Sequence, residues 1–200
     1  MSKINAVCVY CGSSPGTEPA FIDAARDLGK ALAAAGVRVV YGGGSVGLMG
    51  ALAEAALTHG GEVTGIIPEF LTRRERPKPL AQELIVTRDM HERKRLMFER
   101  ADAFVALPGG IGTLEELVEQ LTWVQLGSHK KPILVANISN YWAPLIALID
   151  HMRAVKFVPP TLAVDFLVAD RVADILPMLR EAAGRVVAAD QAMAISAERL

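Results

Sequence analysis

Two hydrophobic rhythms alternate along this chain: short, nearly unbroken apolar runs, and longer stretches with apolar residues at helical spacing, separated by glycine-rich turns. Residues 4–10, 37–41, 62–67, 84–87, 103–107, 132–136 and 164–168 read as strands. Between them, Phe21, Ala24, Ala25, Leu28, Leu32 and Ala35 share one face of a helix that Gly36 ends, with Ser14 or Thr17 placed to cap its start. Residues 48–59 form a small-residue helix closed by Gly60 and Gly61. Further helices are expected over 90–101, from the capping position Thr113 onward, over 142–153 and over 172–183. Residues 70–80 break the rhythm with Arg73, Arg74, Arg76, Lys78 and two prolines, and read as a mobile surface segment bordering a ligand or as a solvated basic loop.

Strands that are continuous apolar runs, rather than alternating ones, are buried on both faces. Their regular exchange with helices predicts an α/β fold, a doubly wound and mostly parallel sheet with helices on both sides. One domain over residues 1–185 is expected, followed by a loose C-terminal tail over 186–200. Ligands of such folds sit at the carboxyl ends of the strands. Three turns rich in glycine or serine fall there: 12–14, 42–47 and 108–113.

Composition narrows the function. A 200-residue chain with 52% hydrophobic and 22% charged residues is globular, and its net charge of −1 argues against a protein that holds nucleic acid by bulk electrostatics. No apolar stretch reaches the roughly 18 residues that a membrane span needs. The start MSKINAVCVY lacks the pattern of a secretory signal, so a cytoplasmic protein is expected. Cys8 and Cys11 form C-x-x-C, but Cys8 lies within a strand and side chains three apart on a strand point to opposite faces, which speaks against redox or metal chemistry. His91-Glu92 opens like a zinc-protease motif, yet Arg95 stands where the second histidine belongs; no metal site is expected.

The chemistry concentrates in AFVALPGGIGTLEELVE, residues 103–119. A strand, a tight glycine turn and a helix start leave free backbone N–H groups converging on one spot, with the positive end of the helix dipole behind them. Such a turn suits a phosphate. Glu116, one helical turn on, is the unusual member, because a carboxylate near a bound anion needs a reason, whereas Glu115 reads as solvent-facing or capping. Gly42-x-Gly44-x-x-Gly47 satisfies the dinucleotide fingerprint, but it follows the second strand and lacks an acid at the end of the next. A second phosphate-facing loop fits it better. Within the charged run 88–95, Arg88 and Arg95 read as exposed helix charges, and Arg93 as a guanidinium that, beside Glu116, would orient a sugar phosphate.

Met90-His91-x-Arg93-Lys94 followed by Pro108-Gly109-Gly110-x-Gly112-Thr113-x-x-Glu116 resembles the Lonely Guy family, the cytokinin riboside 5′-monophosphate phosphoribohydrolases long mislabelled as lysine decarboxylases. The resemblance includes Cys11-Gly12-Ser13-Ser14, Tyr41-Gly42-Gly43-Gly44 and Thr122-Trp123-x-Gln125-Leu126-Gly127, and ends near Ala183; Ile111 stands where the family commonly has Tyr. It implies a Rossmann-like homodimer that hydrolyses the N-glycosidic bond of an adenine nucleoside 5′-monophosphate without a cofactor. Arg93 and Glu116 would carry catalysis, Arg93 holding Glu116 ionised. Gly109, Gly110, Gly112 and Thr113 would take the phosphate with Gly43, Gly44 and Ser45 closing round it, and Ser13, Met90 and Lys94 would complete the substrate site.

Overall fold

The computed structural model describes residues 4–75, 81–158 and 165–197. Seven strands, β1 (Ala6–Tyr10), β2 (Arg38–Tyr41), β3 (Val63–Pro68), β4 (Glu83–Thr87), β5 (Ala103–Ala106), β6 (Ile133–Ala136) and β7 (Leu167–Ala169), form one sheet in the order β4-β3-β2-β1-β5-β6-β7. Every pairing is parallel; Val9 of β1, for example, stands against Tyr41 of β2 on one side and Val105 of β5 on the other.

Among the described residues seven α-helices cover the two faces: α1 (Pro19–Ala34), α2 (Gly47–Thr58), α3 (Glu69–Glu75), α4 (Met90–Glu99), α5 (Ile111–Gln125), α6 (Ala143–Ala154) and α7 (Val172–Ala197). Alternate strand residues serve alternate faces. Val7, Val9, Val39 and Val105 join Leu28 of α1, Leu52 of α2 and Leu179 of α7 in one core. Cys8, Tyr10, Val40 and Phe104 join Met97 of α4, Leu117 and Leu121 of α5 and Ile149 of α6 in the other. Both cysteines are therefore free, buried and on opposite faces of the sheet.

Close helix packing explains one mid-helix glycine. A Cβ on Gly29 of α1 would stand 2.4 Å from the Leu52 carbonyl oxygen and 3.0 Å from the Ala56 amide, both backbone atoms of α2. The two helices touch nearly backbone to backbone, which fixes α2 against α1.

Four expectations shift. Helix α1 begins at Pro19 behind Glu18, with no side-chain cap from Ser14 or Thr17, because proline at the first helical position needs no partner for its nitrogen. Helix α3 takes in residues 70–75 of the segment expected to be irregular over 70–80; Arg76 and Lys78 lie outside the described residues. The last strand runs Leu167–Ala169, slightly later than 164–168. The final helix does not stop at 183 but continues to Ala197 through the stretch read as a tail, where alanine-rich sequence keeps high helix propensity.

Candidate active site

The sheet order turns at β1, whose successors β2, β3 and β4 run off to one side while β5, β6 and β7 run off to the other. Loops leaving β1 and β5 must diverge there, and a crevice opens between them. Its walls are knitted together by backbone. Gly12 N–H donates to the Pro108 carbonyl at 3.0 Å, and the Gly12 carbonyl accepts from Leu48 N–H at 3.0 Å. Gly47 takes φ +61°, and a Cβ there would lie 2.4 Å from the Ser13 carbonyl carbon. Three glycine turns thus meet at one point because only backbone fits between them.

A cavity of about 360 Å³ occupies the crevice, lined by Tyr10, Cys11, Gly12 and Ser13 after β1, Gly42 and Met49 after β2, Leu71 of α3, Met90 and Arg93 of α4, and residues 110–113 with Glu116 from α5. A second, of about 280 Å³, adjoins it across Gly12, Ser13 and Gly110 and is walled by Phe21, Gly109 and Tyr141. Tyr141 donates its hydroxyl to the Gly109 carbonyl at 2.5 Å, pinning the Pro108-Gly109-Gly110 turn from outside.

Arg93 and Glu116 form the floor of the first cavity. Asp89 caps α4 by accepting from Glu92 N–H at 2.8 Å, which fixes the start of the helix that carries Arg93. Arg93 Nη1 lies 3.1 Å from Glu116 Oε1, and its Nε donates to the Ile66 carbonyl at 3.1 Å. The two side chains are each only 10% exposed. Burial raises the Glu116 pKa above its ordinary 4.5; Arg93 opposes the rise without cancelling it. Arg93 lowers the value, as expected of an adjacent cation, but desolvation in this cavity outweighs the guanidinium and the net shift is upward. Burial likewise raises the Cys8 and Cys11 thiols and the Tyr10 hydroxyl, and Glu116 adds to each rise.

The rim beside this pair is the N-terminus of α5. Thr113 is not its cap. The helix begins at Ile111 behind Gly110, which offers no side-chain cap, so the first N–H groups are left for something else. Gly110 and Gly112 have nothing within 4 Å of where a Cβ would be, so the protein's own packing does not demand glycine there and the backbone is left open to approach from the cavity. Gly109 differs, since its Cβ would collide with Thr113 Oγ1 at 2.2 Å. Thr113 is buried under the turn, and its closeness to Gly109 holds the turn against the helix.

The structure gathers most of the expected residues: Arg93, Glu116, Gly110, Gly112, Thr113, Ser13 and Met90 line the first cavity, and Gly109 the second. Gly43, Gly44 and Ser45 line neither. Gly43 instead packs beneath Ile67 and Leu84 at φ +76°. Lys94 turns to α5, 2.6 Å from Glu115 and 2.8 Å from Glu119, so Glu115 serves the α4–α5 contact. Sequence reasoning missed Gly42, Met49, Tyr10 and Tyr141. Gly42 was visible only as part of a phosphate loop, and Tyr141 follows a turn in which Ser139 and Asn140 take positive φ, which no motif announced.

Fold and crevice together define a doubly wound α/β protein with a cavity at the uncapped start of α5, its floor a buried carboxylate–guanidinium pair. The chain belongs to the family described as possible lysine decarboxylase, whose model matches residues 49–179, and which is the Lonely Guy family of the sequence resemblance. It is 49% identical over 160 residues to a probable cytokinin riboside 5′-monophosphate phosphoribohydrolase of Oryza sativa subsp. japonica, covering 80% of this chain and 70% of that protein. A cytokinin riboside 5′-monophosphate phosphoribohydrolase of Arabidopsis thaliana is 46% identical over 160 residues, 80% of this chain and 74% of that one. Among solved structures, the molybdenum cofactor binding protein of the phototrophic bacterium Rippkaea orientalis superposes with a TM-score of 0.68 at 20% identity, over 90% of this chain and 98% of that one; the likeness is one of fold.

Proposed function

We propose that this protein hydrolyses the N-glycosidic bond of adenine-type nucleoside 5′-monophosphates, AMP or an N6-modified cytokinin riboside 5′-monophosphate, to free base and ribose 5-phosphate. The observation that carries the reading is the buried Arg93–Glu116 pair at 3.1 Å, placed next to the uncapped start of α5. The relatives named as cytokinin riboside 5′-monophosphate phosphoribohydrolases support it.

Glycosidic cleavage develops positive charge at the anomeric carbon, and a carboxylate beneath that carbon stabilises it. In this reading the 5′-phosphate sits on the N–H groups at the start of α5, anchoring the ribose above Glu116. As the glycosidic bond breaks, its electron pair leaves with the base. Glu116 stabilises the cation and takes a proton from the attacking water, a transfer suited to a carboxyl whose pKa burial has raised. The departing base is neutralised by an equivalent proton from solvent, to which Glu116 returns its own. Arg93 fixes the carboxylate and binds ribose oxygens. Met49, Leu71 and Met90 supply the apolar part of the wall.

A lysine decarboxylase activity does not fit the cavity. A pyridoxal-dependent decarboxylase needs a lysine to hold its cofactor. Among the described residues no lysine lines this cavity, and Lys94 is committed to Glu115 and Glu119.

The protein works as a homodimer in the cytoplasm in this reading. Ile111, Val118 and Leu126 leave an exposed apolar line along α5 that suits a second copy, and light scattering at the monomer mass of 21.4 kDa would contradict it. Among the described residues no helix is long and apolar enough to cross a membrane. The activity is tested by base release from AMP, isopentenyladenosine 5′-monophosphate and adenosine. Release from either monophosphate but not from adenosine supports the reading. Binding of the monophosphates with no release from any would mark a non-catalytic nucleotide-binding module instead.

A further inference from the structure

Of the three glycines at the end of β2, only Gly43 has the positive φ that favours glycine; Gly42 is not in the left-handed region. Its lack of a side chain has a different cause. A Cβ on Gly42 would stand 2.3 Å from Arg93 Nη2, with Met49 Sδ at 3.0 Å and no other residue's atom among its three nearest contacts. The guanidinium cannot simply slide away. Its Nε is held by the Ile66 carbonyl at 3.1 Å and its Nη1 faces Glu116 at 3.1 Å, so retreat from Gly42 breaks one contact or the other.

We infer that Gly42 is a positioning residue for the catalytic pair: the space where its side chain would be is filled by Arg93, and this seats the guanidinium against Glu116. The inference rests on the proposed glycosidase reading for its effect on rate, but not for its effect on packing. Gly42 touches no reacting atom in this account and acts through Arg93 alone.

The test is a double-mutant cycle of Gly42→Ala and Arg93→Ala, read by thermal unfolding and by kinetics on the monophosphate that the wild type cleaves. In the wild-type background Gly42→Ala lowers kcat by about 100-fold, the scale of a misplacement of about 1 Å at a catalytic group. KM changes less, because the phosphate turn of α5 is untouched. In the Arg93→Ala background the close contact is gone and only Met49 Sδ, the end of a flexible side chain, remains near the methyl at 3.0 Å, so Gly42→Ala adds little further loss of kcat or of melting temperature. Should Gly42→Ala alone unfold the protein, the double variant refolds it, since the clash is with the guanidinium.

The acid limb of the pH profile separates positioning from general damage. Glu116 is faced by Arg93 and Lys94 from α4, by Glu115 and Glu119 from its own helix, and by Cys8, Tyr10 and Cys11 from β1 and its end. Only Arg93 moves in Gly42→Ala, and it is the principal group that favours the ionised carboxyl, so the limb shifts to higher pH. Equal losses from Gly42→Ala with and without Arg93, or no loss in either, overturn the inference. A wild type that releases no base defeats the glycosidase reading instead, while the melting temperatures still decide whether Gly42 makes room for Arg93.

Discussion

Arg93 binds the Ile66 carbonyl through Nε and Glu116 through Nη1, each at 3.1 Å, so a single side chain ties β3 to α5 across the floor of the cavity. Its charge falls short of holding Glu116 at an ordinary carboxylate pKa. Burial raises the group, Arg93 and more weakly Lys94 offset part of the rise, and Glu115 and Glu119 add to it. If the ionised carboxylate is the working form, activity disappears as pH falls through this raised value. The acid limb of kcat/KM therefore lies above 4.5, and Arg93→Ala moves it further up; a pH–rate profile of both proteins measures this. The sign for stability is opposite. The folded state holds this proton more tightly than the unfolded chain, so the group's contribution is fully present below 4.5 and declines as pH rises through the folded value.

Gly112 separates ligand recognition from folding. It lies in the first turn of α5 with no protein atom within 4 Å of a potential Cβ. Gly112→Ala is expected to keep or raise stability, by up to about 1 kcal/mol from helix propensity alone. The methyl protrudes into the cavity where the phosphate is placed, so KM for the monophosphate rises about ten-fold, equivalent to roughly 1.4 kcal/mol. Urea unfolding and steady-state kinetics on the same preparation check both halves.

Gly29 makes the converse prediction. Alanine at this mid-helix position would gain about 1 kcal/mol in an isolated helix. Here the Cβ meets the α2 backbone at 2.4 Å, which cannot rotate away as a side chain would. Overpacking of this kind costs about 1–3 kcal/mol and exceeds the gain, so Gly29→Ala lowers the urea midpoint. Because α2 also carries Leu48 and Met49 against the Gly12 turn, the variant loosens the cavity wall as well.

Much of this arrangement was legible in the sequence, for identifiable reasons. Runs such as residues 103–107 are apolar on both sides because both faces of their strand are covered, and that gave the parallel doubly wound sheet directly. Arg93 and Glu116 lie on different helices, and spacing alone offered no reason to pair them; the two-part motif did. Thr113 misled as a cap, since a threonine before an apolar helix usually serves its own N–H groups, whereas here the start is left uncapped at Gly110. Gly42 was hidden by Gly43 and Gly44: a glycine needed for a neighbouring side chain and one needed for its own φ look identical in sequence. The reach of α7 to Ala197 was missed because helical propensity without a clear apolar stripe reads as a tail.

The most direct test of the account compares wild type and Glu116→Gln for production of free base and ribose 5-phosphate from the monophosphate. The substitution keeps the shape of the buried side chain and leaves an amide oxygen for Arg93, so circular dichroism and melting should show a folded protein. The account predicts equimolar base and ribose 5-phosphate from the wild type, and a rate lower by about 10³-fold in the variant, within the range that positioned acid–base groups contribute. A folded Glu116→Gln protein that releases base at nearly the wild-type rate would contradict it.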